Sequence, residues 1–101
     1  MAFTRLALMT PKPGNEERVE KALQELLRFQ SEQPGFIAGY LLRHDDHTRG
    51  ERRIGRFAVW ESEEAANRVA QQQHDMALQS ELKLDVVDAT HEEHSYEATP
   101  I

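Results

Sequence analysis

Three side chains of this sequence carry the chemistry most worth weighing: Arg56, Trp60 and His74. Trp60 is the only tryptophan and stands in the stretch RFAVWESEEAA, residues 56–66. Residues two and four apart on an extended strand share a face, so Trp60, Ala58 and Arg56 point the same way. Two roles are open to the indole, and they are compatible. It closes a core where strand meets helix, or it lines a pocket, stacking on a flat ligand and offering its ring N–H. Arg56 lies mid-strand, where a charge needs either a partner, such as a glutamate, or a ligand. His74 has an imidazole that titrates near neutral pH, the property of a general base, although a histidine at a helix end also reads as plain surface.

The other histidines raise a metal site and then argue against it. His91 and His94, beside Glu92 and Glu93, are three apart; on a strand they face opposite ways and cannot easily share an ion. His44 and His47, with Asp45 and Asp46, belong to a polar loop of ordinary composition. No Gly-rich phosphate loop, nucleophile elbow or paired-carboxylate signature is present. Tyr40 and Tyr96 read as packing or interface residues before catalytic acids. The expectation is therefore no metal and no cofactor.

The elements that must position these residues follow from periodicity. Residues 3–10 (FTRLALMT) read as a strand, stopped by Pro11, Pro13 and Gly14. Asn15 is a candidate N-cap, with Glu16 and Glu17 where a helix dipole favours negative charge. Val19, Ala22, Leu23, Leu26, Leu27 and Gln30 then recur at helical steps until Pro34-Gly35. Residues 36–44 (FIAGYLLRH) read as a second strand containing a glycine suited to close approach. HDDHTRGERR is the polar connection of a long hairpin, and residues 53–60 form the third strand. Ser62 caps a helix with the stripe Ala65, Ala66, Val69 and Ala70. Gln71–Gln73 and His74 interrupt it, and a short helical stretch follows around Met76, Ala77, Leu78 and Leu82. A last strand is expected over about residues 86–97, leaving 98–101 as a tail. The order β-α-β-β-α-β is the split βαβ, ferredoxin-like arrangement: an α+β fold whose antiparallel four-stranded sheet has helices on one face.

Composition bounds the function. A chain of 101 residues makes one domain, residues 1–101, burying about 60–65% of its unfolded surface. With 39% hydrophobic and 30% charged residues it reads as a folded chain, not a disordered one. The net charge of −6, with 12 Lys and Arg spread along the sequence, speaks against nucleic acid as a partner. The absence of cysteine excludes disulfides, thiol catalysis and Cys-ligated metals. No export signal is evident and no apolar run nears the ~20 residues of a membrane span, so a cytoplasmic protein without membrane contact is expected.

Strand alternation also predicts a partner. The second strand carries Phe36, Tyr40 and Leu42 on one side and Ile37 and Leu41 on the other; the third carries Ile54, Ala58 and Trp60 against Phe57 and Val59. Helices cover one face only, so the other apolar face calls for a second sheet, most simply that of a homodimer.

Three motifs, KPGNEERVEKAL, QPGFIAGYLLR and VWESEEAA, together resemble the antibiotic-biosynthesis monooxygenase domain family, over about residues 3–97. The resemblance implies a dimeric α+β barrel, two four-stranded sheets packed face to face through residues such as Phe57 and Val59. It also implies a pocket between each sheet and its helices, lined in relatives by a tryptophan at the position of Trp60. Members include cofactor-independent monooxygenases of aromatic polyketides and quinol-like molecules, and haem-degrading enzymes. For this chain it implies Trp60, Ala58 and Thr4 as substrate-binding residues, with Trp60, His74 and Arg56 as the catalytic candidates, Arg56 clamping an enolate. Thr4 stands roughly where the haem-degrading branch has an asparagine, and His74 lies farther from Trp60 than that branch's iron-ligating histidine. Both departures point away from haem and towards a small aromatic substrate. The alternative is a non-catalytic ligand-binding or stress-linked dimer of the same fold.

Overall fold

The computed structural model describes residues 1–44, 52–87 and 90–101. The chain runs β1 (Ala2–Met9), α1 (Glu16–Ser31), β2 (Phe36–Leu42), β3 (Ile54–Trp60), α2 (Glu63–Ala70), α3 (Gln73–Leu84) and β4 (Glu92–Ala98). The strands form one antiparallel sheet in the order β2-β3-β1-β4, the α+β ferredoxin-like arrangement that the element order implies. The second helical segment is divided: α2 stops at Ala70 and α3 restarts at Gln73, across the glutamines that break the apolar stripe. The last strand starts six residues later than the sequence suggests and takes in Ala98 of the expected tail. Val86, instead of opening it, makes an isolated bridge to Pro11.

Local chemistry explains the boundaries. Ser62 Oγ accepts from the Ala65 N–H at 3.1 Å and caps α2. Asn15 holds the cap position of α1 but its side chain does not cap: Nδ2 donates to Asp85 Oδ1 at 3.2 Å. That bond, with Lys12 N–H donating to the Asp85 carbonyl at 2.8 Å, pins the start of α1 to the end of α3. Gly35 ends the α1–β2 turn with φ +90°, and a Cβ there would lie 2.5 Å from Ala65 Cβ, so the turn packs directly on α2.

The alternation of β2 differs from the sequence expectation in one respect. A bulge between Phe36 and Ala38 keeps Phe36 opposite Trp60 while Tyr40 pairs with Phe57 and Leu41 with Arg56. Phe36 therefore shares the helix side with Gly39 and Leu41, whereas Tyr40 and Leu42 turn to the open side. Gly39 fits this: a Cβ there would meet the Phe36 ring at 2.8 Å and Leu27 at 3.0 Å.

Two apolar clusters lie between sheet and helices. One gathers Ala7, Met9, Val19, Leu23, Ile54, Leu82 and Val86; the other gathers Phe3, Ala58, Trp60, Ala65, Ala66 and Val69. On β1, Arg5 falls between Phe3 and Ala7; on β3, Arg56 falls between Ile54 and Ala58. The core is thus split across its middle by charge.

Candidate active site

Arg56 is the centre of that split. β3 alternates Ile54, Arg56, Ala58 and Trp60 towards the helices, and β1 alternates Phe3, Arg5, Ala7 and Met9. In the register each arginine faces an alanine, Arg5 opposite Ala58 and Arg56 opposite Ala7, which leaves room for a long side chain to lie over its neighbour. β4 adds Ser95 beside Arg5 and Glu93 beside Ala7.

The guanidinium of Arg56 is only 4% exposed, yet incompletely paired. Its Nη2 stands 3.6 Å from Oε1 of half-exposed Glu93, an ion pair too long for a hydrogen bond, and its Nε has no hydrogen-bond partner among the described residues. Burial pulls its pKa down from the usual arginine value; Glu93 and, less strongly, Asp75 oppose that pull, and Arg5 adds to it.

Asp75, in the first turn of α3, is fully buried. Gln30 from α1 donates through Nε2 to one carboxylate oxygen at 3.1 Å, and Gln79 from the next turn of α3 donates to the other at 2.6 Å. The buried Gln30 Oε1 is left without a hydrogen bond among the described residues. A buried cation with one long ion pair and an open donor is a costly arrangement to maintain, and so is the open acceptor on Gln30 beyond Asp75.

This buried network backs a cleft of ≈ 530 Å³ between β1, β4 and the helices α2 and α3. Ala70 and Met76 give it an apolar side, and Gln79, Ser80 and Ser95 a polar one. Arg5, Lys83 and Glu93 supply its charges. Two wall residues reach the network behind: Glu93 to Arg56 and Gln79 to Asp75. Arg5 also donates to Asn67 Oδ1 and lies over the Phe3 ring, 5.3 Å from its centroid.

The residues singled out in the sequence are distributed unevenly around this cleft. Arg56, Ala58 and Trp60 share the helix side. Trp60 is 2% exposed, its ring edge-on to Phe36 at 5.2 Å and packed within the α2 cluster. It stands one row from the cleft: its cross-strand neighbour Phe3 carries Arg5 above it. Thr4 pairs with Val59 and lies on the opposite side of the sheet from Trp60, where its hydroxyl donates to the Tyr96 carbonyl at 3.0 Å. His74 points outward from α3 to Phe29, ring centroids 4.5 Å apart, over a shallow hollow with Glu25, Arg28, Glu32 and Leu78. The helix side therefore brings Arg56 and Ala58 together with Trp60, and separates all three from Thr4 and His74. Asp75, Gln30 and Gln79 are new to the picture. Gln30 had a legible signal, a polar residue on the apolar stripe of α1.

Among the described residues no group of three His, Asp or Glu converges as a metal site. His94 faces the open side beside Tyr96, while His91 precedes β4 and stands 3.9 Å from Glu93. His47, Asp45 and Asp46 lie outside the described residues. No described helix is long and apolar enough to cross a membrane.

The family model described as antibiotic biosynthesis monooxygenase matches residues 2–79. Among solved structures, SnoaB, a cofactor-independent oxygenase from Streptomyces nogalater, is 22% identical with a TM-score of 0.82, over 99% of this chain and 95% of that one. A conserved protein from Methanosarcina mazei Go1 is 14% identical at a TM-score of 0.85, over 98% of this chain and 94% of that one. Rv0793 from Mycobacterium tuberculosis is 11% identical at 0.84, over 100% and 98% respectively. At these identities the likeness is one of fold. No curated protein matches the sequence.

Proposed function

As the chain belongs to the antibiotic biosynthesis monooxygenase family, we propose that it is a small oxygenase that needs no cofactor and acts on an electron-rich aromatic or quinol-like molecule in the cleft before Arg56. The observation that carries this reading is the incompletely paired, buried guanidinium behind a cleft with one apolar side. A cation held there by the fold stabilises negative charge that develops on a ligand, at no reorganisation cost when it appears.

The chemistry asked of the protein is modest. An anthrone-type CH₂ loses a proton, for which Glu93 on the wall is the nearest carboxylate. The resulting enolate, its oxygen on the side of the cleft backed by Arg56, gives one electron to O₂; the radical pair joins as a C–O bond. Loss of water then leaves C=O, so one O₂ converts CH₂ to C=O and H₂O, with the substrate supplying all the electrons. Trp60 and Ala58 lie in the packed cluster beneath Arg5 and support the sheet side of this site from behind. Thr4 belongs to the other face, and His74 faces the separate hollow beside Phe29.

The open face of the sheet supports a homodimer in this reading. Leu6, Leu8, Phe57, Val59 and Tyr40 lie on it, with Tyr40 55% exposed and 6.2 Å from the Phe57 ring. A second copy seated there would complete the barrel. The alternative, a ligand-binding dimer without turnover, draws on the outward placement of His74, which leaves the cleft without an imidazole base.

Oxygen uptake with a panel of anthrones and quinols tests the proposal. Consumption of one O₂ per substrate above the uncatalysed rate is expected. A protein that binds these aromatics without accelerating uptake would be the binding module instead.

A further inference from the structure

The charges around the cleft carry the reading further, to the kind of substrate it takes. Resting on the cleft as the ligand site, we propose that the ligand bears a permanent oxyanion, a carboxylate or its equivalent, drawn by the wall cations Arg5 and Lys83. The chain as a whole has a net charge of −6, so its average field repels anions. The cleft departs from that average. Arg5 and Lys83 line it, with Arg56 behind; among the described residues the only acid on its walls is Glu93, which Arg56 already faces. Asp75, also near Arg56, is sealed away by Gln30 and Gln79. Among the described residues, three cations against two acids leave the site net positive, and the two cations on its walls are those without a carboxylate ion pair.

The two differ in how they are held. Arg5 is positioned by Asn67 and the Phe3 ring and keeps further N–H donors for a second acceptor. Lys83 extends from the last turn of α3 as a mobile point charge, with Ser80 one turn before it on the same wall. Arg5 thus gives the cleft a fixed fork and Lys83 an adjustable charge, alongside the apolar side formed by Met76 and Ala70. That geometry suits a flat ligand with a polar, negatively charged end better than a wholly apolar one.

Calorimetry with anthraquinone-2-carboxylate and the uncharged anthraquinone-2-carboxamide isolates the charge, because the two have nearly the same shape and neither turns over. The acid is expected to bind at least ten-fold tighter at low salt, and the gap should narrow as salt rises. Lys83→Gln and Arg5→Gln should each reduce the preference while leaving carboxamide affinity nearly unchanged. Lys21→Gln, on the outer side of α1, should leave it intact. Equal affinity of the two probes would overturn the inference while leaving the oxygenase reading standing, and so would a preference that survives both cleft variants. Failure of both probes to bind would overturn it too, and oxygen uptake on uncharged anthrones then judges the oxygenase reading separately.

Discussion

The two faces of this sheet bury apolar residues to opposite ends. Towards the helices, the rows of β1 and β3 are interrupted by Arg5, which reaches the cleft, and by Arg56, which is buried. Towards the open side, Leu6, Leu8, Phe57 and Val59 run without a charge on the two central strands, and only the flanking β4 adds Glu92 and His94. A charge enclosed where water cannot reach it is costly, and an apolar row left in water is also costly. The first is the signature of a site that handles charge; the second is the signature of a surface that docks. In the proposed reading one sheet divides recognition and association between its faces, and each face can be tested without touching the other.

The largest effect is expected on the open face. Phe57→Asp places a carboxylate at the centre of the proposed interface and should convert a dimer to monomer at micromolar concentration in sedimentation experiments, with the helix-face cleft intact. A stable dimer would show that copies meet elsewhere. On the enclosed face, Asp75→Asn removes the negative charge near Arg56 and sets an amide N–H₂ against two glutamine donors. It should cost about 3 kcal/mol in urea unfolding, as other broken buried charge arrangements do. Trp60→Phe should lower stability by roughly 2 kcal/mol through the volume lost beside Phe36 and α2. Its effect on aromatic binding should be weaker than that of any cleft residue, because Phe3 and Arg5 intervene. The smallest change, Ser62→Ala, removes only the α2 cap and should cost about 1 kcal/mol in thermal unfolding. It should leave both faces as they were.

The sequence made much of this legible, for definable reasons. Period-two alternation on β3 placed Ile54, Ala58 and Trp60 together, and the helical stripe of α1 announced its buried side. The polar run at Gln71–Gln73 marked where one helix becomes two. What escaped depended on register between distant segments. The bulge beside Ile37, which moves Phe36 to the helix side, leaves no mark in a run that is apolar on both faces. Thr4 and Trp60 seemed able to share a pocket until the β1–β3 register set Thr4 opposite Val59. Asp75 looked like an ordinary acidic residue in a first turn; only the packing of α3 against α1 brings it to Gln30 and near Arg56. His74, one residue earlier, is turned about 100° around the helix and so faces outward.

The central claim is that the enclosed face does chemistry through Arg56, and oxygen uptake by Arg56→Gln tests it most directly. With an anthrone that the wild-type protein oxidises, and at matched folded fraction by circular dichroism, the variant should lose on the order of 100-fold in rate, the usual cost of removing one anion-stabilising donor. Its affinity for the uncharged anthraquinone-2-carboxamide should change far less. An uptake rate equal to wild type in the folded variant would contradict the account.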